Sequence, residues 1–497
     1  MATGLTVFFK GFFSMGADAY VVLAYVVLVY IIAFRAYLFL LKKRRQGGAA
    51  YMELQYLAGR SLHPMQSMCS IVAAEISAVT FFGLPALAFA GNFNSIIFLF
   101  GSIIGRLITN VYFMPKFYGK GLTIIEILFK HFGLGDYNCR KLTASFYIFL
   151  KIAGAGVRLF IGSIIVSEFF EMSLFMSISI VMSMTFLYSL VGGLRSIVQT
   201  DVMQLSVLTL GAICAFVMIA KAENFPIGSL FVEAFKAGKF SLIPPGGAPE
   251  LFMGLFAGII YSVTNFTGDQ ELVQKILATK SLEDAQKALK NSAIIILGVH
   301  LTLLFIGVML WLFFKHHDFI EYVPGNKVFS YFIFNYMPSP MKGLMVASIL
   351  AATMSSLDSG LNAISSVFWN DMMPNQKVKY FSYYVKIDSL IIALLILMVA
   401  YACIKGVFWM KLFYTLNEFL SVPLFIIAMN AFLPKLFGKP VLNRIKVIGL
   451  FFVCTVVDFI ADRTMPHYYP MYLSLIAGLI FILILNKFLV IREKKYA

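Results

Sequence analysis

Apolar runs of about 20 residues, joined by short connections, recur along this chain from Tyr20 to Ile491, and that is the length of helix a bilayer core requires. Within hydrocarbon every backbone N–H and C=O has to find its partner inside the segment, so unbroken runs of this kind fold as helices. Sixty per cent of the 497 residues are hydrophobic and 13% are charged, whereas a soluble domain carries about 25% charged residues. The expected fold class is therefore an all-α polytopic membrane protein of about 13 spans with no large soluble domain. The seventh span, Leu251 to Phe266, is marginal in length. Val447 to Ile460 is short unless it extends into Asn443 or Asp462.

An odd span count puts the termini on opposite sides, and charge decides which side is which. With the amino terminus outside, the cytoplasmic segments collect Lys42, Lys43, Arg44, Arg45, Lys116, Lys120, Arg140, Lys275 and Lys287, among others. Lys and Arg are then roughly two and a half times as frequent inside as outside, which is the positive-inside bias. The net charge of +16 follows from topology and contact with anionic membrane lipid, and no nucleic-acid partner is implied.

Enzyme classes find little support. The first residues, Met1 to Ser14, lack the basic start and small-residue cleavage site of a secretory signal, so the first span is expected to stay. Cys69, Cys139, Cys214, Cys403 and Cys454 are scattered without a CxxC spacing and read as small apolar residues. The six histidines form no metal-ligand spacing. Catalysis requires convergent acid, base or metal groups, and no segment supplies them. The chain also carries no marker of an oligomeric state.

What remains informative is polar residues inside the spans. Ala351-Ala352-Thr353-Met354-Ser355-Ser356-Leu357-Asp358-Ser359-Gly360-Leu361-Asn362 places hydroxyls and a carboxylate in the middle of the ninth span. Small residues also serve as helix-packing glue, but an intramembrane acid beside hydroxyls is by default an ion or substrate site. In the second span, Met65 to Ala90, Ala73-Ala74-Glu75-Ile76-Ser77-Ala78-Val79-Thr80 interrupts an apolar run, with Gly83 and Pro85 beyond it. These mark a discontinuous helix whose freed carbonyls can bind a cation. A matching interruption is expected in the ninth span at Thr353 to Gly360, and the seventh ends in Asn265-Phe266-Thr267-Gly268-Asp269-Gln270. Glu75 needs a partner at that depth, and Arg106 and Arg158 are the structural candidates. Asp201 lies near a cytoplasmic helix start, where it also suits the positive end of the helix.

Four segments together resemble a known family, the sodium/solute symporters. Gly192-Gly193-Leu194-Arg195-Ser196-Ile197-Val198-Gln199-Thr200-Asp201-Val202-Met203-Gln204 is similar to the family's GG-x-x-A-V-x-x-T-D-x-x-Q signature. Asp269-Gln270-Glu271-Leu272-Val273-Gln274-Lys275-Ile276-Leu277-Ala278-Thr279-Lys280-Ser281 resembles its D-Q-x-x-V-Q-R-x-L-A-A-K-S loop. Met354 to Ala363 and Tyr56-Leu57-Ala58-Gly59-Arg60-Ser61 resemble two more segments, and all four stand in family order.

The resemblance implies a leucine-transporter fold, a five-plus-five inverted repeat. One extra helix at 1–45 would precede repeats at 50–220 and 247–435, with two further helices and a cytoplasmic tail at 440–497. It implies a first sodium held by the carbonyls of Ala73 and Ile76 with Ala352, Ser355 and Ser356, an oxygen-only set suited to a small hard cation. A second sodium, which some members bind, would fall on Asp201, Ser355, Asp358 and Ser359, with Asp358 standing where some two-ion members have serine. Solute contacts of sugar-carrying members map onto Glu75, Thr80, Asp269 and Asn417, with Glu75 where sugar carriers often have asparagine. Arg158 lies on the third core helix, where some sialic-acid symporters also place an arginine to hold a carboxylate, which makes it a candidate anion clamp. The implied function is sodium-driven import of a small polar organic solute by alternating access at the plasma membrane, with a proton-coupled or uncoupled carrier of the same fold as the alternative.

Overall fold

The computed structural model describes residues 16–43, 48–222, 227–244, 246–317, 327–373, 381–419, 421–433, 442–464 and 473–484. In chain order the helices are α1 (Ala17–Lys43), α2 (Gly48–Leu57), α3 (Pro64–Glu75), α4 (Ala78–Ala90), α5 (Ile96–Ile108) and α6 (Tyr137–Phe169). They continue with α7 (Leu174–Leu190) and α8 (Gly192–Ala222), then α9 (Ile227–Lys236), α10 (Gly247–Gly268), α11 (Gln270–Leu277), α12 (Leu282–His316) and α13 (Val328–Tyr336). The last are α14 (Met341–Val367), α15 (Phe381–Ile404), α16 (Val407–Phe419), α17 (Ser421–Phe432), α18 (Arg444–Thr464) and α19 (Leu473–Ile484). Among the described residues β-structure is confined to two isolated bridges, Leu62 with Thr279 and Gly135 with Leu442.

By length and composition, eight of these helices can cross a membrane, and α3 with α4, bent by 64° at their junction, make a ninth. Shorter apolar helices coincide with three further expected spans. The marginal seventh span is longer than its sequence limits indicate, since α10 starts at Gly247 behind a glycine cap. The short one likewise extends in both directions, as α18.

Two breaks shape the interior. The α3 helix stops at Glu75, Ile76 and Ser77 take extended backbone, and α4 restarts at Ala78. The second break falls between α10 and α11, where Asp269 is extended and its carboxylate caps α11 by accepting from the Glu271 N–H at 3.0 Å. The interruption expected at Thr353 to Gly360 does not occur: α14 runs unbroken through it. Three of its hydroxyls bond back to carbonyls three or four residues earlier, Thr353 to Ile349 and both Ser355 and Ser356 to Ala352, so they are satisfied without unwinding the helix.

Every residue of α14 from Met345 to Val367 is buried, which makes it the central helix. It packs against α1, α3, α6 and α8, and α11 meets its C-terminal half, where Gln274 reaches Ser359 and Asn362. Close approach elsewhere depends on glycine: a Cβ on Gly101 of α5 would lie 1.9 Å from the Leu255 carbonyl oxygen, and one on Gly258 of α10 would lie 2.0 Å from that of Phe98. Gly193, in the first turn of α8 where the chain kinks away from α7, has φ +56°, a left-handed value that favours glycine, and its missing side chain admits the Gln55 carbonyl.

Candidate functional site

The first break and α14 meet directly. Ser355 Oγ donates to the Ala73 carbonyl at 3.0 Å and to the Ala352 carbonyl at 3.3 Å, while Ser356 Oγ donates to Ala352 at 3.1 Å. Four of the five expected ligands of a first cation, Ala73, Ala352, Ser355 and Ser356, are thus joined by hydrogen bonds. The fifth, Ile76, is buried in the unwound segment beside them. Carbonyls freed at a helix end and neutral hydroxyls form an oxygen-only donor set, which fits a small monovalent cation and has no place for a soft metal.

One turn before Ala73, a different cation is already present. The Lys275 ammonium on α11 donates to the Ser70 carbonyl at 2.8 Å and to Asp201 Oδ2 at 3.2 Å, and Ser70 Oγ donates to the same Asp201 oxygen at 2.5 Å. Both side chains of the Lys275–Asp201 pair have no exposure at all. Lys275 is therefore no loop cation, as its contribution to the charge bias assumed; and Asp201, which sequence placed at a helix start or in a second cation set, is held by an ion pair inside the fold. Of that second set, Ser355, Asp358 and Ser359 lie together on α14. Asp358 Oδ2 accepts from the Tyr188 hydroxyl at 2.5 Å. Asp201 Oδ1, Asp358 Oδ1 and Ser359 Oγ are buried and have no hydrogen-bond partner among the described residues.

Glu75 finds the first of its two structural candidates. Arg106 Nη2 reaches both carboxylate oxygens at 2.7 Å, its Nη1 donates to Ser292 Oγ at 2.8 Å, and its guanidinium lies 5.1 Å from the Phe266 ring centre. Arg158 is paired instead with Glu271, Nη1 to Oε1 at 3.5 Å, which corrects the expected alternative of a Glu75–Arg158 pair. Lys151 sits between two acids, 2.5 Å from Asp269 Oδ2 and 2.7 Å from Glu271 Oε2, and the Tyr147 hydroxyl donates to Asp269 Oδ1 at 2.8 Å. Thr80 is half-buried in the first turn of α4. Asn417 belongs to α16, but its side chain lies outside the described residues.

Sequence reasoning missed Lys151, Glu271 and Lys275 as site residues. Lys151 carries a readable signal: it precedes Arg158 by seven residues in the same span, two helical turns on the same face. Glu271 and Lys275 lie in the family-like Asp269 to Ser281 segment, but nothing local marks them as buried, because a charged stretch beside a helix end reads as solvated until a fold buries it. A cavity of about 400 Å³ lined by His63, Met65, Met68, Asp284, Lys287 and Asn291 lies between the starts of α3 and α12. None of the residues above lines it, and the hydrogen-bonded geometry locates the site better than cavity size does.

Two discontinuous helices whose breaks face buried polar groups define a secondary-transporter core, in which freed helix ends serve an ion and a solute. The family model described as the sodium:solute symporter family matches residues 55–437. This chain belongs to the sodium:solute symporter family. It is 26% identical over 318 residues to a sodium/sialic acid symporter of Aliivibrio fischeri, a match covering 61% of each chain. It is 26% identical over 364 residues to a sodium/glucose cotransporter of Vibrio parahaemolyticus, covering 67% of this chain and 65% of that protein. A sodium/myo-inositol cotransporter of Sus scrofa is 25% identical over 370 residues, covering 67% of this chain and 54% of that one. The matches thus span about three fifths of the sialic-acid relative's length. In fold, the chain resembles a substrate-bound, outward-open sodium-coupled sialic acid symporter with a TM-score of 0.80 at 20% identity, covering 94% of this chain and 97% of that one. A nucleobase-cation symporter with a bound hydantoin gives a TM-score of 0.58 at 15% identity, covering 86% and 92%.

Proposed function

We propose that the protein is a sodium-coupled importer of a small polar organic solute, working by alternating access in the plasma membrane. The carrying observation is the Ser355–Ala73 contact, which joins the unwound segment of the first broken helix to the polar turn of α14. Sodium at Ala73, Ile76, Ala352, Ser355 and Ser356 replaces those hydrogen bonds with ion–oxygen contacts and fixes the break against α14. Coupling is then a difference in ion affinity between the two access states, with no chemical step. One sodium moving inward across about 100 mV contributes roughly 2.3 kcal/mol before any concentration gradient.

In this reading the chain has thirteen spans, the amino terminus outside and the carboxyl terminus in the cytoplasm. α3 to α8 form the first five-span repeat and α10 to α17 the second, each opening with its broken helix. The solute lies beside the breaks, against Glu75, Thr80, Arg158, Asp269 and Asn417. Of the three cations near it, Arg158 has a side chain 26% exposed, against 7% for Lys151 and 2% for Arg106. A solute carboxylate would therefore meet Arg158, and its hydroxyls would find acceptors in Asp269 and Glu75. The sialic-acid relatives favour such a hydroxylated acid.

Uptake by reconstituted vesicles tests the reading. Solutes are first chosen by thermal shift of the detergent-solubilised protein with and without sodium, over sugars, polyols and sugar acids. Concentrative uptake is expected under a sodium gradient and not when potassium replaces sodium. Equal uptake in potassium, or uptake driven by a proton gradient alone, overturns sodium coupling and leaves a proton-coupled or uncoupled carrier.

A further inference from the structure

Helix α1 stands outside both repeats, and most of its surface is apolar and exposed, as befits a lipid-facing helix: Leu23, Val27, Leu28, Ile31, Phe34 and Leu38 all point outward. Its opposite face is different. Asp18 is buried at the start of α1, and its Oδ1 accepts from the Gly343 N–H at the start of α14 at 2.7 Å. Two turns on, Tyr25 is buried too, with its hydroxyl 3.6 Å from Met354 Sδ of α14. The same hydroxyl accepts from Gln204 Nε2 of α8 at 3.3 Å, and that amide nitrogen lies 3.5 Å from the Tyr188 hydroxyl of α7, which donates to Asp358. A continuous polar chain therefore runs from α1 through α8 and α7 to the carboxylate that follows Ser355 and Ser356 on α14.

Packing alone does not require this. A helix that only fills space against α14 can do so with leucine, and each buried polar group placed in a membrane has to be matched by a partner. Here Tyr25 supplies the acceptor that orients the Gln204 amide. With its nitrogen turned to the two tyrosines, Gln204 keeps its Oε1 buried and unpartnered, on the helix that also carries the unpartnered Asp201 Oδ1. The Tyr188 hydroxyl, held from behind by Gln204, fixes which Asp358 oxygen is engaged and leaves Oδ1 unpartnered.

We propose that Tyr25 is a positioning residue for cation coupling: through Gln204 and Tyr188 it sets the orientation of the Asp358 carboxylate, so that the helix outside the repeats is a working part of the ion machinery. The proposal rests on the reading that the polar turn of α14 serves the coupling sodium. Tyr25 touches no ion itself; it acts through its neighbours.

The test is sodium activation of uptake, together with sodium-dependent thermal stabilisation, for Tyr25→Phe. That change keeps the ring and removes only the hydroxyl, a hydrogen bond worth about a two- to tenfold change in an equilibrium. The half-activating sodium concentration is expected to rise about three- to tenfold on that basis, while solute KM at saturating sodium and the amount of folded protein stay near the parent's. Tyr188→Phe should shift it in the same direction, and the double variant should shift it by less than the two combined, because both act on one carboxylate. Tyr30→Phe is the control: its hydroxyl donates to the Met184 carbonyl and has no place in the chain, so sodium activation should not move. If Tyr25→Phe does not accumulate as folded protein, Gln204→Asn interrupts the same chain and carries the same expectation. Unchanged sodium activation in Tyr25→Phe or Gln204→Asn, or an equal shift in Tyr30→Phe, overturns the proposal. Failure of the sodium reading looks different, since the parent protein itself would then not respond to sodium.

Discussion

The Ser355 hydroxyl and the Ala73 carbonyl meet at 3.0 Å although 282 residues separate them in the chain. That contact fixes the unwound end of α3 against the middle of α14, two elements far apart in the chain. A cation inserted between them would be shared by both, and its departure would free them to separate.

Ser356→Ala is expected to weaken sodium activation strongly and leave folding largely intact. The lost hydroxyl bonds only within its own helix, to Ala352 at 3.1 Å, so alanine leaves no orphaned donor elsewhere. A rise of about tenfold or more in half-activating sodium corresponds to one charge-assisted ligand lost. Unchanged activation in vesicle uptake removes Ser356 from the ion site.

Lys275→Met should destabilise the protein by about 3–5 kcal/mol, since Asp201 is then a buried charge without its counter-ion. Adding Asp201→Asn removes that charge and should recover much of the loss. Thermal unfolding of the single and double variants in detergent measures both. Additive losses would show that the two residues do not act as a pair.

Glu75→Gln should cost stability before it costs solute affinity. The carboxylate accepts two bonds from an arginine whose side chain is 2% exposed, so the amide leaves a buried guanidinium without neutralisation. A variant as stable as the parent, with only its solute KM changed, would show that the fold does not depend on Glu75 to neutralise Arg106.

Arg158 predicts the opposite order. Glu271 keeps its 2.7 Å bond to Lys151 when Arg158 is removed, so Arg158→Ala should fold with little loss. Arg158→Lys should lower solute affinity by about tenfold, because an ammonium offers a point charge where a guanidinium offers a planar fork. Parent-like uptake by the alanine variant ends its role as a carboxylate clamp.

Topology is tested by labelling single cysteines in sealed cells. The five native cysteines are buried or half-buried and give little background. His317→Cys should react with an impermeant reagent added outside, while Lys43→Cys and Lys494→Cys should not. Reaction at position 494 reverses the orientation.

The amino-acid sequence by itself determined that this is a helical membrane protein, where its long apolar helices lie and where the second expected span breaks. These depend on local properties: the length of apolar runs, the need of each segment to satisfy its own backbone, and a Glu-Ile-Ser step that a helix in hydrocarbon does not continue. The resemblance to the symporter family, not any local property, implied that Ser355 and Ser356 lie opposite that break. Only the tertiary structure decided which charge meets which. Glu75 chose Arg106 over Arg158, Arg158 went to Glu271, and Lys275 left an apparent loop to neutralise Asp201. The second break moved from Thr353–Gly360 to Asp269 for the same reason. Serines can bond back to their own helix and leave it whole, whereas Asp269 is drawn to Lys151 and Tyr147 on a neighbouring helix. Pairings of this kind join residues 31 to 282 positions apart. They are settled by how helices pack, which no local pattern records.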